Sequence, residues 1–376
     1  MRVAILTLPL HFNYGGILQA YALQTILERL GHEAFIIEKE QKPLKINLWK
    51  KPFIYIKRLI KKTINYKTSI FLEKKLNYEL FHNLPIIQQN TDKFISNHIK
   101  RKFYNDFNEI KENEYDAIIV GSDQIWRPLY YPKIDDAYLQ FTKELDILRI
   151  AYAASFGTDK WEYSLFQTIK CRKYLKKFNF ISVREISGMN LCNEHFGISP
   201  QLVLDPTLLL NVEDYIKLFK ITLTPKSKGN LLCYILDETK EKHELINRIA
   251  HEKDMTVFRV NSCAENRNAD LKDRIQPPVE QWLRGFYDAQ FVITDSFHAC
   301  VFAIIFKKQF IVYGNSDRGL TRFDSLLTLF GLQDRLITNI KQYHCFQDID
   351  YNHVHMVLAD KKDESLNILK SVLSEE

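Results

Sequence analysis

The sequence predicts an α/β protein of two doubly wound, Rossmann-like halves, with its ligand site in the cleft between them. Three observations carry that expectation. Short apolar runs of strand length alternate with helix-length stretches along most of the chain. Asp205-Pro206 and the polar stretch 222–230, with Pro225 and Gly229, mark a junction near the middle. Beyond it the same alternation resumes. At 376 residues the chain is too long for one ordinary domain and comfortable for two. The division read from this is an N-terminal domain over 1–222 and a C-terminal domain over 223–376 that ends in a helix.

In the first half, residues 3–8 (VAILTL) read as a strand and 9–16 as a loop with paired glycines. Leu18, Ala22, Ile26 and Leu30 repeat at helical spacing over 17–30, and Gly31 stops the helix. Residues 34–37 are the next strand. This β–loop–α–β opening is how a parallel sheet starts. Residues 41–112 differ in composition: Lys50, Lys51, Lys57 and Arg58 interleave with Trp49, Phe53, Ile54 and Ile56. Such a basic helical insertion either rests its apolar stripe on the sheet or lies on an anionic membrane. Strands resume at 115–121 (YDAIIVG), 149–154, 180–183 and 201–204, with helices over 161–178 and 184–195.

In the second half, strands are expected at 231–236, 256–260, 291–293 and 310–313. Helices are expected at 240–253, 278–288, 299–306, 323–330 and 360–373.

Composition bounds the function. Hydrophobic residues are 46% and charged residues 26%, which is a core-forming balance. A net charge of +6 permits an anionic substrate or membrane surface and does not call for nucleic acid. The six cysteines include no Cys-x-x-Cys, so neither a zinc site nor a disulfide framework is expected, and reduced thiols fit a cytoplasmic protein. The N-terminal apolar run lacks a cleavage signal, and no apolar run is long enough to span a bilayer. A soluble protein, or one peripheral at the inner face of the membrane, is the expectation.

The candidate site residues stand where strands end. Ile293–Phe306 (ITDSFHACVFAIIF) combines a strand end, the polar cluster Thr294-Asp295-Ser296-Phe297-His298 and an apolar helix. A helix N-terminus in that position suits an anion; Asp295 or Ser296 also reads simply as an N-cap. Asn13-Tyr14-Gly15-Gly16, with Gln19 beyond it, follows the first strand. It is neither a GxGxxG fingerprint nor a P-loop. Gly121-Ser122-Asp123-Gln124-Ile125-Trp126 follows another strand: Asp and Gln suit hydroxyls, and an indole suits a sugar face. Ser155 follows a third. Arg184, Arg318 and Arg322 are the basic residues nearest strand ends, and guanidinium forks bind phosphate and carboxylate. Asp348-Ile349-Asp350 matches a bare D-x-D pattern without sheet context, and no metal is expected there.

Taken together, NYGGILQAYAL, YDAIIVGSDQIW, AYAASFG, ISVRE, LVLDPTLL, ITDSFHACVFAIIF and RGLTRFDSLL resemble the polysaccharide pyruvyl transferase family in order and spacing. The resemblance implies a GT-B-like fold with the active site in the interdomain cleft. It implies that phosphoenolpyruvate gives its pyruvyl group to a sugar, forming a cyclic ketal and releasing phosphate. The acceptor would be a repeat unit of a capsule or exopolysaccharide, lipid-linked. No metal or cofactor is required. His298 matches the family's motif histidine and is the first candidate for acid/base work, with Asp123 as base for the acceptor hydroxyl. Arg184, Asp295, Ser296, Arg318 and Arg322 would meet the donor. Asn13, Tyr14, Gly15, Gly16, Gln19, Gln124, Trp126 and Ser155 would line the acceptor side.

One place departs from the family. Many members carry Arg two residues before the motif histidine, where this chain has Ser296. Either Arg318 or Arg322 takes over the anion, or the donor pose differs, or this branch does not use phosphoenolpyruvate. A GT-B glycosyltransferase using a sugar nucleotide and a non-catalytic sugar-binding member are the alternatives.

Overall fold

The computed structural model describes residues 1–64, 71–315 and 319–374. Two all-parallel sheets carry the fold. The first holds β1 (Arg2–Leu6), β2 (Glu33–Lys39), β3 (Arg101–Tyr104), β4 (Ala117–Gly121), β5 (Leu148–Ala154), β6 (Phe180–Val183) and β7 (Gln201–Leu202), in the order β3-β2-β1-β4-β5-β6-β7. The second holds β8 (Leu231–Tyr234), β9 (Val257–Phe258), β10 (Phe291–Thr294), β11 (Gln309–Tyr313) and β12 (Leu336–Ile337), in the order β12-β11-β10-β8-β9. Strand order reverses between β1 and β4 in one sheet and between β8 and β10 in the other. Crevices at such switch points, beyond the carboxyl ends of the strands, are where open α/β sheets bind ligands.

The strands read as continuous apolar runs because helices cover both faces. AIIVG of β4 and FVIT of β10 are buried at every position. The helix Phe297–Ile305 is buried at all nine residues, which a sequence apolar at every position but His298 allows. The helix Tyr14–Arg29 starts earlier than its apolar spacing predicts. Asn13 caps it, accepting from Gly16 N at 3.3 Å, and the two glycines lie inside its first turn. The helix Leu165–Leu175 is shorter than predicted because Ser164 and Gln167 form a capping box.

Two edge strands, β3 and β12, escape the sequence pattern. β3 is RKFY, inside the stretch read as a helical insertion, and only Tyr104 of it is buried. The helix Lys51–Ile64, the helical run from Leu72–Tyr78 to Leu84–Ile87 and the helix Gln89–His98 lie in the same arm.

The domains are stitched together. The helix Val212–Phe219 packs on Val279–Asp288, and Arg284 Nη1 donates to Ile221 O at 2.7 Å. The last helix, Tyr351–Ser374, returns to the first domain: Leu204 N donates to Ser365 Oγ at 3.1 Å and Lys362 Nζ to Asn211 Oδ1 at 2.6 Å. No helix among the described residues is long and apolar enough to cross a membrane.

Candidate active site

Most side chains at the interdomain crevice follow the end of a parallel strand; Arg322 comes instead from the first turn of the helix Thr321–Phe330. β4 ends at Gly121, and the chain then turns sharply: Ser122 and Asp123 have φ of 20° and 53°. Neither is glycine, so the turn stores strain of the kind found at functional sites. It aims the Asp123 carboxylate at the start of the Tyr14–Arg29 helix, where a Cβ on Gly16 would lie 3.3 Å from Oδ2. Oδ1 accepts from Gln124 N at 2.9 Å.

Arg184 follows β6 directly and is buried. Its Nη1 donates to Asp205 Oδ2 at 2.6 Å and to Ser122 Oγ at 3.3 Å. Nη2 lies 3.6 Å from Asp123 Oδ1, and Nε 3.6 Å from Glu185 Oε2. Nε and Nη2 have no hydrogen-bond partner, nor does Glu185 Oε2. Glu185 uses its other oxygen to accept from Phe156 N at 3.0 Å and Gly157 N at 3.4 Å, fixing the loop after β5.

Asp205 anchors the cluster. Besides Arg184 it accepts from Ser122 Oγ at 3.0 Å, Thr207 N at 3.0 Å and Thr207 Oγ1 at 2.6 Å. Burial acts to raise its pKa, but Arg184 and then His298, with the Thr207 hydrogen bonds, outweigh it and pull the pKa down to about 2.

The second domain contributes the N-terminus of Phe297–Ile305. Ser296 is its N-cap residue but makes no side-chain cap bond, and the first intrahelical hydrogen bond is Cys300 N to Ser296 O at 3.0 Å. The N–H groups of Phe297, His298 and Ala299 therefore have no acceptor within the helix, while Ser296 N donates to Thr294 Oγ1 at 3.0 Å. His298 Nε2 lies 3.8 Å from Asp205 Oδ2 and has no hydrogen-bond partner. Burial lowers the His298 pKa; Asp205 opposes that and Arg184 reinforces it, so the neutral ring is favoured relative to a free imidazole. Arg184 and Arg322 both lie over the Phe297 ring, at 4.8 and 5.4 Å from its centroid. Burial and the neighbouring Arg184 charge draw Arg322 down to about 10, so it stays charged at neutral pH. Two guanidiniums, one imidazole and a helix N-terminus thus converge on one crevice, which suits an anion.

Beside this cluster a cavity of about 450 Å³ opens between β7, the helix Thr321–Phe330 and the terminal helix. Arg184, Asp205, Phe297, Leu326, Leu329 and Ser365 are among its lining residues.

Of the residues expected at the site, Asp123, Arg184, His298 and Arg322 come together, with half-buried Ser296 next to them. Gly15 and Gly16 abut His298 and Asp123. Gln124 packs against Gly157 and accepts from Arg127 Nη1 at 3.2 Å. Asn13 is exposed and works as a cap. Arg318 lies outside the described residues.

Five expected positions are corrected. Trp126 does not face a sugar; it is 0% exposed, stacks on Tyr138 at 5.2 Å and donates to Ala137 O. Its apolar area outweighs any gain from a cleft position. Tyr14 is a domain clasp: its hydroxyl donates to Pro277 O at 2.7 Å and its ring stacks on Trp282 at 5.3 Å. Asp295 is taken up within its own domain by Leu236 N, Asp237 N and Lys242 Nζ, the last at 2.7 Å. Gln19 ties Thr7 Oγ1 to Gly16 O, each at 2.9 Å. Ser155 is fully buried and accepts from Gly157 N.

Two members of the cluster, Glu185 and Asp205, escaped sequence reasoning, while Ser122 and Phe297 stood inside the candidate motifs without a role of their own. Asp205 had a signal, since QLVLD is an apolar run ending in an acid, as DAIIVGSD is. Its Asp-Pro dipeptide was read instead as a junction mark.

Residues 13–317 match the family model described as polysaccharide pyruvyl transferase. No curated protein matches the chain. Among solved structures, UDP-GlcNAc 2-epimerase from Neisseria meningitidis bound to UDP-GlcNAc aligns at TM-score 0.50 and 10% identity, covering 99% of each chain. UDP-GlcNAc 2-epimerase from Methanocaldococcus jannaschii aligns at TM-score 0.47 and 13% identity, over 96% of this chain and 92% of that one. Likeness at such identity concerns the fold alone: the architecture is GT-B, two Rossmann-like domains facing each other across a crevice.

Proposed function

From the premise that this chain belongs to the polysaccharide pyruvyl transferase family, we propose that it moves the pyruvyl group of phosphoenolpyruvate onto a sugar of a lipid-linked bacterial polysaccharide unit. The product is a cyclic pyruvate ketal, and phosphate is released. One observation carries the donor assignment: the convergence of Arg184 and Arg322 over Phe297, beside His298 and a helix N-terminus. Phosphoenolpyruvate carries a phosphate and a carboxylate, and two guanidiniums suit two such anions.

The chemistry balances with these groups. A proton adds to the methylene carbon of the enol, and the adjacent carbon becomes cationic. One sugar hydroxyl adds to it and loses its proton. The carbon–oxygen bond to phosphate then breaks, its electron pair leaving with phosphate, and the second hydroxyl closes the ketal. Two hydroxyl protons are released; one replaces that delivered to carbon and the other leaves on phosphate. His298 is the assigned acid, because an arriving phosphate dianion raises its pKa toward the working range. Asp123 is the assigned base. Arg322 takes the charge that the family places at the position of Ser296, since it reaches the same Phe297 ring as Arg184.

The test is a binding and turnover pair. Phosphoenolpyruvate should stabilise the protein thermally where UDP- and GDP-sugars do not. With a matching glycan, phosphate release should accompany the added mass of a pyruvate ketal. Stabilisation by a sugar nucleotide alone would replace this reading with glycosyl transfer.

A further inference from the structure

The arm between β2 and β3 presents a surface that the crevice does not use. From residue 41 to residue 72 the chain has nine Lys or Arg and neither Asp nor Glu. Those nine exceed the net charge of +6, so the rest of the chain is net acidic. The helix Lys51–Ile64 is held from one side, where Tyr55 and Arg58 both donate to Glu73 of the helix Leu72–Tyr78. Among the described side chains its other side is exposed: Phe53 is 77% and Ile56 57% exposed, and Trp49, in the 3-10 turn Leu48–Lys50 that leads into the helix, is 88% exposed. Positions 49, 53 and 56 share one helical face. Lys50 and Lys57 are exposed beside them. Single exposed apolar side chains are ordinary; three large ones in register beside exposed lysines form an interfacial surface.

We propose that this face rests on an anionic lipid bilayer, with Trp49, Phe53 and Ile56 in the headgroup boundary and the lysines on lipid phosphates. Charge complementarity decides the occupant, because a second copy would set the same cations against each other. The arm leaves β2 at the carboxyl edge of the first sheet, the edge that also carries Asp123 and Arg184. A bilayer bound there lies on the crevice side of that sheet. The inference is independent of the donor assigned above.

Co-sedimentation of the full chain tests it, using phosphatidylcholine vesicles with and without about 30% phosphatidylglycerol. Binding is expected to the anionic vesicles alone and to fall with added salt. Lys50→Glu with Lys57→Glu should weaken it at least about tenfold, while melting temperature stays near wild type. Acrylamide quenching of the Trp49 signal, isolated by subtracting Trp49→Phe, should drop when vesicles are added. Equal binding to neutral vesicles, or Trp49 quenched alike with and without anionic ones, would overturn the proposal. So would a dimer in light scattering that Phe53→Ser disperses, which would assign the face to a second copy.

Discussion

His298 and Gly15 come from different domains and compete for one volume: a Cβ on residue 15 would lie 2.0 Å from His298 Nδ1. Glycine is required here for what it lacks. The helix Tyr14–Arg29 and the helix Phe297–Ile305 can bring their N-terminal turns together only across a bare backbone. The two switch points thereby share one crevice, and the imidazole is held in place by contact with the opposite domain.

Gly15→Ala should therefore separate the domains or turn His298 away. A stability loss of about 1–3 kcal/mol is expected, the usual cost of overpacking, with activity falling further than stability does. Urea unfolding together with phosphate-release assays measures both. Gly16→Ala is the milder comparison: its Cβ would lie 3.3 Å from Asp123 Oδ2, which has to give by only a few tenths of an ångström, so a smaller loss is expected. If both variants lose equal activity, the contact with His298 is not what matters.

Arg184 and Asp205 form a buried pair at 2.6 Å with further hydrogen bonds on Asp205. Asp205→Asn leaves Arg184 without its closest counter-charge and should cost about 3–5 kcal/mol. The acid limb follows from the carboxyl pKa of about 2. It lies below the unfolded value, so the stabilisation is full above pH ~4 and lost as pH falls toward 2. Chemical denaturation between about pH 5 and pH 2 should show a shallower decline in Asp205→Asn than in wild type. Parallel declines would remove Asp205 from the account of acid stability.

The parallel strands of both cores were legible because a strand buried on both faces must be apolar throughout, as FVIT and AIIVG are. β3 was not, because RKFY is an edge strand with a single buried residue. Strand-end position pointed to Asp123, Arg184 and His298, which the fold brings together. It misled for Trp126, Tyr14 and Asp295, because position along a strand does not say which way a side chain turns. Trp126 turned into the core, Tyr14 into the domain joint and Asp295 onto Lys242. Asp205 was passed over although its apolar run ends in an acid, because its partners, Arg184, Ser122 and His298, come from three other segments that only the fold assembles.

Arg322 should govern donor affinity more than stability. Arg322→Met keeps an apolar body over Phe297 and removes the charge. The dissociation constant for phosphoenolpyruvate is expected to rise about 10- to 100-fold, the worth of a charge-assisted hydrogen bond. Arg322→Lys should recover little of that, because an ammonium does not reproduce the flat fork over the ring. Arg248→Met, at an exposed pair with Glu252, is the control and should bind normally. Full affinity in Arg322→Met would return the question of the missing charge at Ser296 to Arg318.

The pH dependence of anion binding isolates His298. Burial, opposed by Asp205 and reinforced by Arg184, holds its pKa below 6.5 in the folded protein. On acidification the unfolded chain protonates first, so this histidine's contribution to stability is full above pH 6.5 and is lost as pH falls through its folded pKa. An anion in the crevice acts the other way, favouring imidazolium and raising the pKa of the bound state. Binding should then take up a proton. Sulfate is the clean probe, because its own charge is constant across this range. Its affinity should rise as pH is lowered from about 8 to about 5.5, with proton uptake visible in calorimetry across buffers of different ionisation enthalpy. His298→Asn should bind sulfate with little pH dependence, because Arg184 and Arg322 keep their charge throughout. An identical slope in wild type and variant would mean that the ring does not meet the anion, and the acid role assigned to it would fall with that.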